Sequence, residues 1–293
     1  MKEAIGPSPE QMGIQEAWRP EKIKLPSGEI DVFDLKPERE KSAVPVIFIP
    51  GWGGTAGMFR EDIEAFAQGG RRSLSIDAPR GIGHEIQAPE MPQAQLRKVA
   101  ALMETLDAKK IERVDAVGNS EGGMVVALAA KLYPNRFRNI VLEQPAGMIG
   151  PDYLLRLAAK FPLDIAKSYI DGVRKKELRE PKKQAESRGS KPAALPLREM
   201  PQAVREVSDM AKTQIHELLR DIRKKGIKIS IIHGVDDNVF PMRDVQRMTK
   251  ADMVNGFFSI KGKHAQWRSK EDRRRYAMLA EHALTAMEKE NAI

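Results

Sequence analysis

"VDAVGNSEGGMVVALAA", residues 114–130, decides how the rest of the chain is read. A short apolar run is followed by Gly-Asn-Ser-Glu-Gly-Gly and then by a stretch with few polar residues. That order predicts a strand, a cramped turn and a helix. Gly118 and Gly122 bracket Ser120 at the spacing Gly-x-Ser-x-Gly. Where a strand turns directly into a helix the flanking positions crowd one another, and glycine relieves that crowding. The serine is then left on the outside of the bend, at the edge of a sheet and the positive end of a helix. Ser120 is either a small residue fitting a tight corner or a nucleophile. The polar neighbours Asn119 and Glu121 are not required by a turn.

Outward from this stretch, strand and helix patterns alternate. "VPVIFIPGWGG" from Val44, "RRSLSIDAPRG" from Arg71 and "RNIVLEQPAG" from Arg138 are further short apolar runs closed by Pro or Gly. They suit strands buried on both faces. Helical patterns lie between them at Met58–Gln68 and Ala94–Leu106, so residues 44 to about 147 predict βαβ units and a parallel sheet. Before them "EKIKLPSGEIDVFDL" reads as a hairpin turning at Pro26-Ser27-Gly28, behind a Pro- and Gly-containing lead-in. From about 150 the pattern becomes helical and polar, broken at "RKKELREPKKQAESRGSKPAALP". It resumes at "IKISIIHGVDD" near 227, with "GFFSI" from Gly256 as a last strand and a helix over about Lys270–Glu290. The expected organisation is a core in two parts, 1–148 and 226–293, interrupted by a helical insertion over 149–225.

The 293 residues carry a formal charge of +8 and no cysteine. Disulfides, thiolate metal sites and a cysteine nucleophile are excluded. Residues 151–226 hold 18 Lys and Arg against 11 Asp and Glu, so most of the surplus lies in the insertion. It reads either as a solvated helical surface or as an attraction for an anionic substrate, surface or partner. Aromatic residues do not interleave with these charges, and no nucleic-acid partner is expected. With no signal-like segment and no run near ~18 apolar residues, the expectation is a soluble, cytoplasmic protein.

A serine hydroxyl is a weak nucleophile without a base, and the base of choice is a histidine held by a carboxylate. Of five histidines, His264 in "SIKGKHAQW" is favoured, because its loop falls at the edge of the sheet late in the chain. His233 lies at the end of a strand, His84 in a glycine-containing loop, and His216 and His282 in charged helical segments. The carboxylate should lie between Ser120 and His264, where "IIHGVDDNVFP" offers Asp236 and Asp237, although Asp also serves as a turn or helix-capping residue. Histidines and carboxylates are too dispersed to suggest a metal site.

Taken in order, "IPGWGG", "SIDAPRGIG", "VGNSEGG", "YPNRFRNIVLEQPAG", "HGVDDNVFP" and "KGKH" resemble the α/β-hydrolase superfamily over most of the chain, and the elbow is similar to those of capped esterases and carbon–carbon bond hydrolases. The resemblance implies an α/β fold with a mostly parallel twisted sheet flanked by helices and an inserted helical cap. It implies Ser120 as nucleophile, His264 as base and, by position between Gly234 and Pro241, Asp237 as acid. Backbone N–H groups of Trp52 and Glu121 would form an oxyanion hole. Gly51, Gly53, Trp267 and Tyr153 would line the substrate pocket, with Leu154, Leu157, Phe161 and Met200 as further cap residues that core packing explains equally. The implied reaction is hydrolysis of an ester-like bond in a small acyl substrate, with no cofactor. Thioesters, lactones and carbon–carbon bonds share this machinery, and a ligand-binding protein on the same fold is the alternative of another class. Glu121 is unusual at its position. Its carboxylate either favours the first helical turn, lines the pocket, or holds the Trp52 loop, with Arg80 as a conceivable partner.

Overall fold

The computed structural model describes residues 19–77, 81–150, 199–264 and 270–291. Eight strands form one sheet: β1 (Glu21–Leu25), β2 (Gly28–Leu35), β3 (Ser42–Ile49), β4 (Arg71–Asp77), β5 (Val114–Asn119), β6 (Phe137–Glu143), β7 (Lys228–Gly234) and β8 (Gly256–Ile260). Their spatial order is β1-β2-β4-β3-β5-β6-β7-β8. β1 and β2 pair antiparallel, as does β2 with β4, and every later pairing is parallel.

Among the described residues the α-helices are α1 (Arg60–Gln68), α2 (Gln93–Ala108), α3 (Glu121–Leu132), α4 (Met200–Lys212), α5 (His216–Lys224), α6 (Met242–Met248) and α7 (Lys270–Asn291). A short 3₁₀ turn at Ala56–Phe59 precedes α1, so the helical pattern read from Met58 is divided between two helix types. The connection between the parallel neighbours β6 and β7 carries α4 and α5. Among the described residues no helix is long and apolar enough to cross a membrane.

The continuous apolar runs serve both faces of the sheet, because successive side chains of a strand point in opposite directions. Ile47, Ile49, Ala116, Ile140, Leu142, Ile229 and Ile231 pack with α2, α3 and α5. Their strand neighbours Val46, Phe48, Val117, Val141 and Ile232 pack on the other face with Phe59, Ile63 and Phe66 and with Tyr276, Ala280 and Leu284 of α7. Strand order reverses at β3, which lies between β4 and β5. Such a switch point opens a crevice at the carboxyl ends of the strands, and here those ends are Ile49 and Asn119.

One buried charge cluster ties α7 to the sheet. Arg273 is 2% exposed. Its Nε donates to Asp62 of α1 at 2.5 Å, and its Nη2 also donates to that carboxylate. Nη1 and Nη2 donate to Glu143, the last residue of β6, at 3.0 and 2.9 Å. The guanidinium also stacks over Phe59, 4.9 Å from the ring centre. One cation thus serves two buried carboxylates. Desolvation pushes the Asp62 carboxyl upward, against the pull of Arg273. Removing the cation strands both acids in the interior. Arg273→Met is therefore expected to lower stability by about 3–5 kcal/mol, read as a reduced urea midpoint with an unchanged slope.

Candidate functional site

Ser120 sits between β5 and α3 with φ 53 and ψ −117, a conformation that L-residues rarely adopt. The surroundings hold it there. Its N–H donates to the Glu143 carbonyl at 2.9 Å, and its own carbonyl accepts from Gly123 and Ala146, both at 3.0 Å. A Cβ at Gly122 would overlap the carbonyl of Ile49 and stand 2.6 Å from that of Pro50. The end of β3 is thus packed directly on the first turn of α3, and the spacing of glycines around Ser120 is a packing requirement. Gly122→Ala is expected to cost at least about 3 kcal/mol, at the upper end for overpacked sites, seen as a lowered melting temperature or loss of soluble protein.

Downstream segments bring the other predicted groups to the same edge. Ser120 Oγ lies 3.1 Å from His264 Nε2, and His264 Nδ1 lies 2.8 Å from Asp237 Oδ2. Ser120, His264 and Asp237 are all buried, at 7%, 1% and 4% exposure. A carboxylate oxygen can only accept, so Nδ1 carries the proton and Nε2 is left to accept from the serine hydroxyl. The Phe240 ring meets the imidazole edge-on, 4.9 Å between centres.

Asp237, and not Asp236, faces the histidine. Asp237 Oδ1 accepts the N–H groups of Val239 and Phe240, each at 2.8 Å. Asp236 is exposed, and its N–H donates to the Gly262 carbonyl at 3.1 Å. His233 stands behind the acid, with Nε2 donating to the Phe240 carbonyl at 2.7 Å. Burial lowers its proton affinity and keeps it a neutral brace of the acid loop. His84 is exposed and bonded to Glu104 at 2.6 Å.

Gln144 belongs to this cluster and was not foreseen. It follows β6 with φ 47, and its Nε2 donates to Asp237 Oδ2 at 3.1 Å and to the Lys263 carbonyl at 3.0 Å. Both neighbours are acceptors, so the amide orientation is fixed by chemistry. One side chain thereby joins the acid loop to the residue before His264.

The loop after β3 closes the other side. A Cβ at Gly51 would lie 3.0 Å from Ser120 Cβ, which places this loop against the elbow. Trp52 is half-buried and its indole Nε1 donates to Glu206 of α4 at 2.9 Å. Gly53 is exposed, and Asp77 at the end of β4 accepts the Ala56 N–H. Burial pushes the Asp77 carboxyl up to about 6, the backbone N–H opposing the shift. Glu121 is 1% exposed. Its carboxylate accepts from Gln95 Nε2 at 2.8 Å and Lys98 Nζ at 2.7 Å, both on α2. Arg80, Tyr153, Leu154, Leu157, Phe161 and Trp267 lie outside the described residues, and Met200 is exposed on α4. Among the described residues no group of three or more His, Asp or Glu converges to hold a metal.

The model of a family described as alpha/beta hydrolase fold matches residues 44–265. The chain belongs to this family. A 2-hydroxymuconate semialdehyde hydrolase of Pseudomonas putida is 27% identical over 224 residues, 73% of this chain and 77% of that protein. An abhydrolase domain-containing protein of Caenorhabditis elegans is 24% identical over 169 residues, 55% of this chain. The match spans only 38% of that longer protein. Among solved structures, the enol-lactonase from Burkholderia xenovorans superposes with a TM-score of 0.64 at 18% identity, covering 90% of this chain and all of that one, 100%. The last likeness is one of fold.

Proposed function

We propose that this alpha/beta hydrolase is a serine hydrolase that cleaves an ester-like bond in a small acyl substrate. The observation that carries the proposal is the hydrogen-bonded chain from Ser120 Oγ through the His264 imidazole to Asp237, at 3.1 and 2.8 Å. His264 Nε2 takes the hydroxyl proton as Ser120 Oγ bonds to the acyl carbon. The imidazolium then gives that proton to the leaving alcohol, and the acyl group remains on Ser120. Water, deprotonated by the same nitrogen, attacks the acyl carbon, and the acid leaves as Oγ recovers its proton. Asp237 holds the tautomer and stabilises the imidazolium.

The oxyanion donors are the backbone N–H groups of Trp52 and Glu121. Glu121 opens α3, where the first N–H groups have no partner within the helix. Each such donor is worth about 3–4 kcal/mol of the barrier in related chemistry. The segment between β6 and β7, of which α4 reaches Trp52, serves as the cap in this reading, and the basic surplus of its sequence draws anionic acyl compounds. No cofactor takes part.

Thioesters, lactones and carbon–carbon bonds can be cleaved by the same groups. The likeness to a 2-hydroxymuconate semialdehyde hydrolase favours carbon–carbon cleavage as the second reading. A panel of p-nitrophenyl esters of rising acyl length, a thioester, a lactone and a vinylogous diketone separates these classes. Turnover is expected on at least one short ester, abolished in Ser120→Ala and reduced about 10⁴-fold in Asp237→Asn. Wild-type turnover retained in Ser120→Ala, or no turnover of any panel member, contradicts the proposal, the second result favouring a ligand-binding protein on the hydrolase fold.

A further inference from the structure

Glu121 leads from the elbow to a buried polar network that the hydrolytic steps do not use. Its carboxylate is held by Gln95 and Lys98, which stand three apart on α2 and so share one face of that helix. The same Gln95 amide donates to the backbone carbonyl of Glu206 at 3.0 Å, and Lys98 Nζ lies 3.6 Å from the Glu206 carboxylate. Glu206 itself is fully buried on α4 and accepts the indole N–H of Trp52 at 2.9 Å. A second tie docks α4 independently: Asp209 accepts the N–H of Ala94 in the first turn of α2, at 3.0 Å, where an anion is favoured. α4 is therefore fastened to α2 at two points one turn apart, and from that fixed position reaches the Trp52 side chain.

We infer that Glu206 is a positioning residue for the Trp52 loop: the helix lying between β6 and β7 sets where the backbone N–H of Trp52 points, through a carboxylate–indole hydrogen bond. The inference rests on the serine-hydrolase reading, with Trp52 as an oxyanion donor. The loop approaches Ser120 with three glycines in four positions, Gly51, Gly53 and Gly54, around Trp52, and a Gly54 N–H to Gly51 carbonyl bond of 2.9 Å closes it into a turn whose tip is Trp52. The indole–carboxylate bond ties the tip of this turn to α4. Lys98 and Gln95 then give the Glu121 carboxylate its job, which is to brace the same α2 face from the elbow side and keep that charge turned away from the developing oxyanion.

The test is a double-mutant cycle on a p-nitrophenyl ester turned over by the wild type. Trp52→Phe keeps an aromatic ring and the backbone N–H but loses the indole donor. Glu206→Leu removes the acceptor, and Glu206→Gln retains an oxygen that can accept. A misplaced donor is expected to lower kcat by about 10- to 100-fold in Trp52→Phe and in Glu206→Leu, with KM changed less than about threefold. The double variant should be no slower than the slower single, because both break one link, and Glu206→Gln should recover most of kcat. Should Glu206→Leu fail to fold, Trp52→Phe, which leaves Glu206 beside Lys98, and Glu206→Gln carry the test. Folded variants with kcat within twofold of the wild type, a loss confined to KM, or losses that multiply in the double variant overturn the inference. These outcomes leave Ser120-dependent turnover by the wild type intact, whereas absence of that turnover sinks the serine-hydrolase reading itself.

Discussion

The contact on which the site depends is that of β3 with the first turn of α3. Gly122 lies so close to the carbonyls of Ile49 and Pro50 that no side chain fits between them. That closeness has two consequences. The helix must begin immediately after β5, which forces Ser120 into a conformation with φ 53 and leaves its side chain outside the bend. The loop leaving β3 is also brought against the serine. Ser120 and the Trp52 loop are thus placed by one steric constraint, where the strand order reverses.

Around that constraint, polar groups do the positioning and apolar groups do the holding. Glu143 at the end of β6 receives the N–H of Ser120 on its carbonyl and Arg273 of α7 on its carboxylate. Gln144, one residue on, ties the acid loop to the histidine loop. The C-terminal helix, Asp237, the loop carrying His264 and the turn at Ser120 therefore all meet at the tip of one central strand. Burial makes these contacts strong, and also makes losing one partner costly.

Much of this was legible in the sequence. Parallel strands buried on both faces leave continuous apolar runs, and all of those read as strands are strands of the sheet. Ser120 was marked by its flanking glycines because steric crowding is local in sequence. Asp236 and Asp237 could not be separated by residue type alone, since one step along the turn decides which carboxylate faces inward. Gln144 left no pattern, as its partners Asp237 and Lys263 are 93 and 119 positions away. Glu206 meets Trp52 across 154 positions and likewise carries no local mark. Glu121 likewise had no readable partner, since Gln95 and Lys98 lie in a first turn and a half that also holds Gln93 and Arg97. The short helix Met242–Met248 escaped notice because it has one buried residue, Val245, and no apolar stripe to read.

Hydrolysis at this site requires that the groups around Ser120 activate its hydroxyl. Incubation with a fluorophosphonate, followed by intact mass and peptide mapping, tests this without knowledge of the substrate. The arrangement predicts a single adduct on Ser120, absent in Ser120→Ala and formed much more slowly in His264→Ala. An unlabelled wild-type protein, or labelling that persists unchanged in His264→Ala, would contradict it.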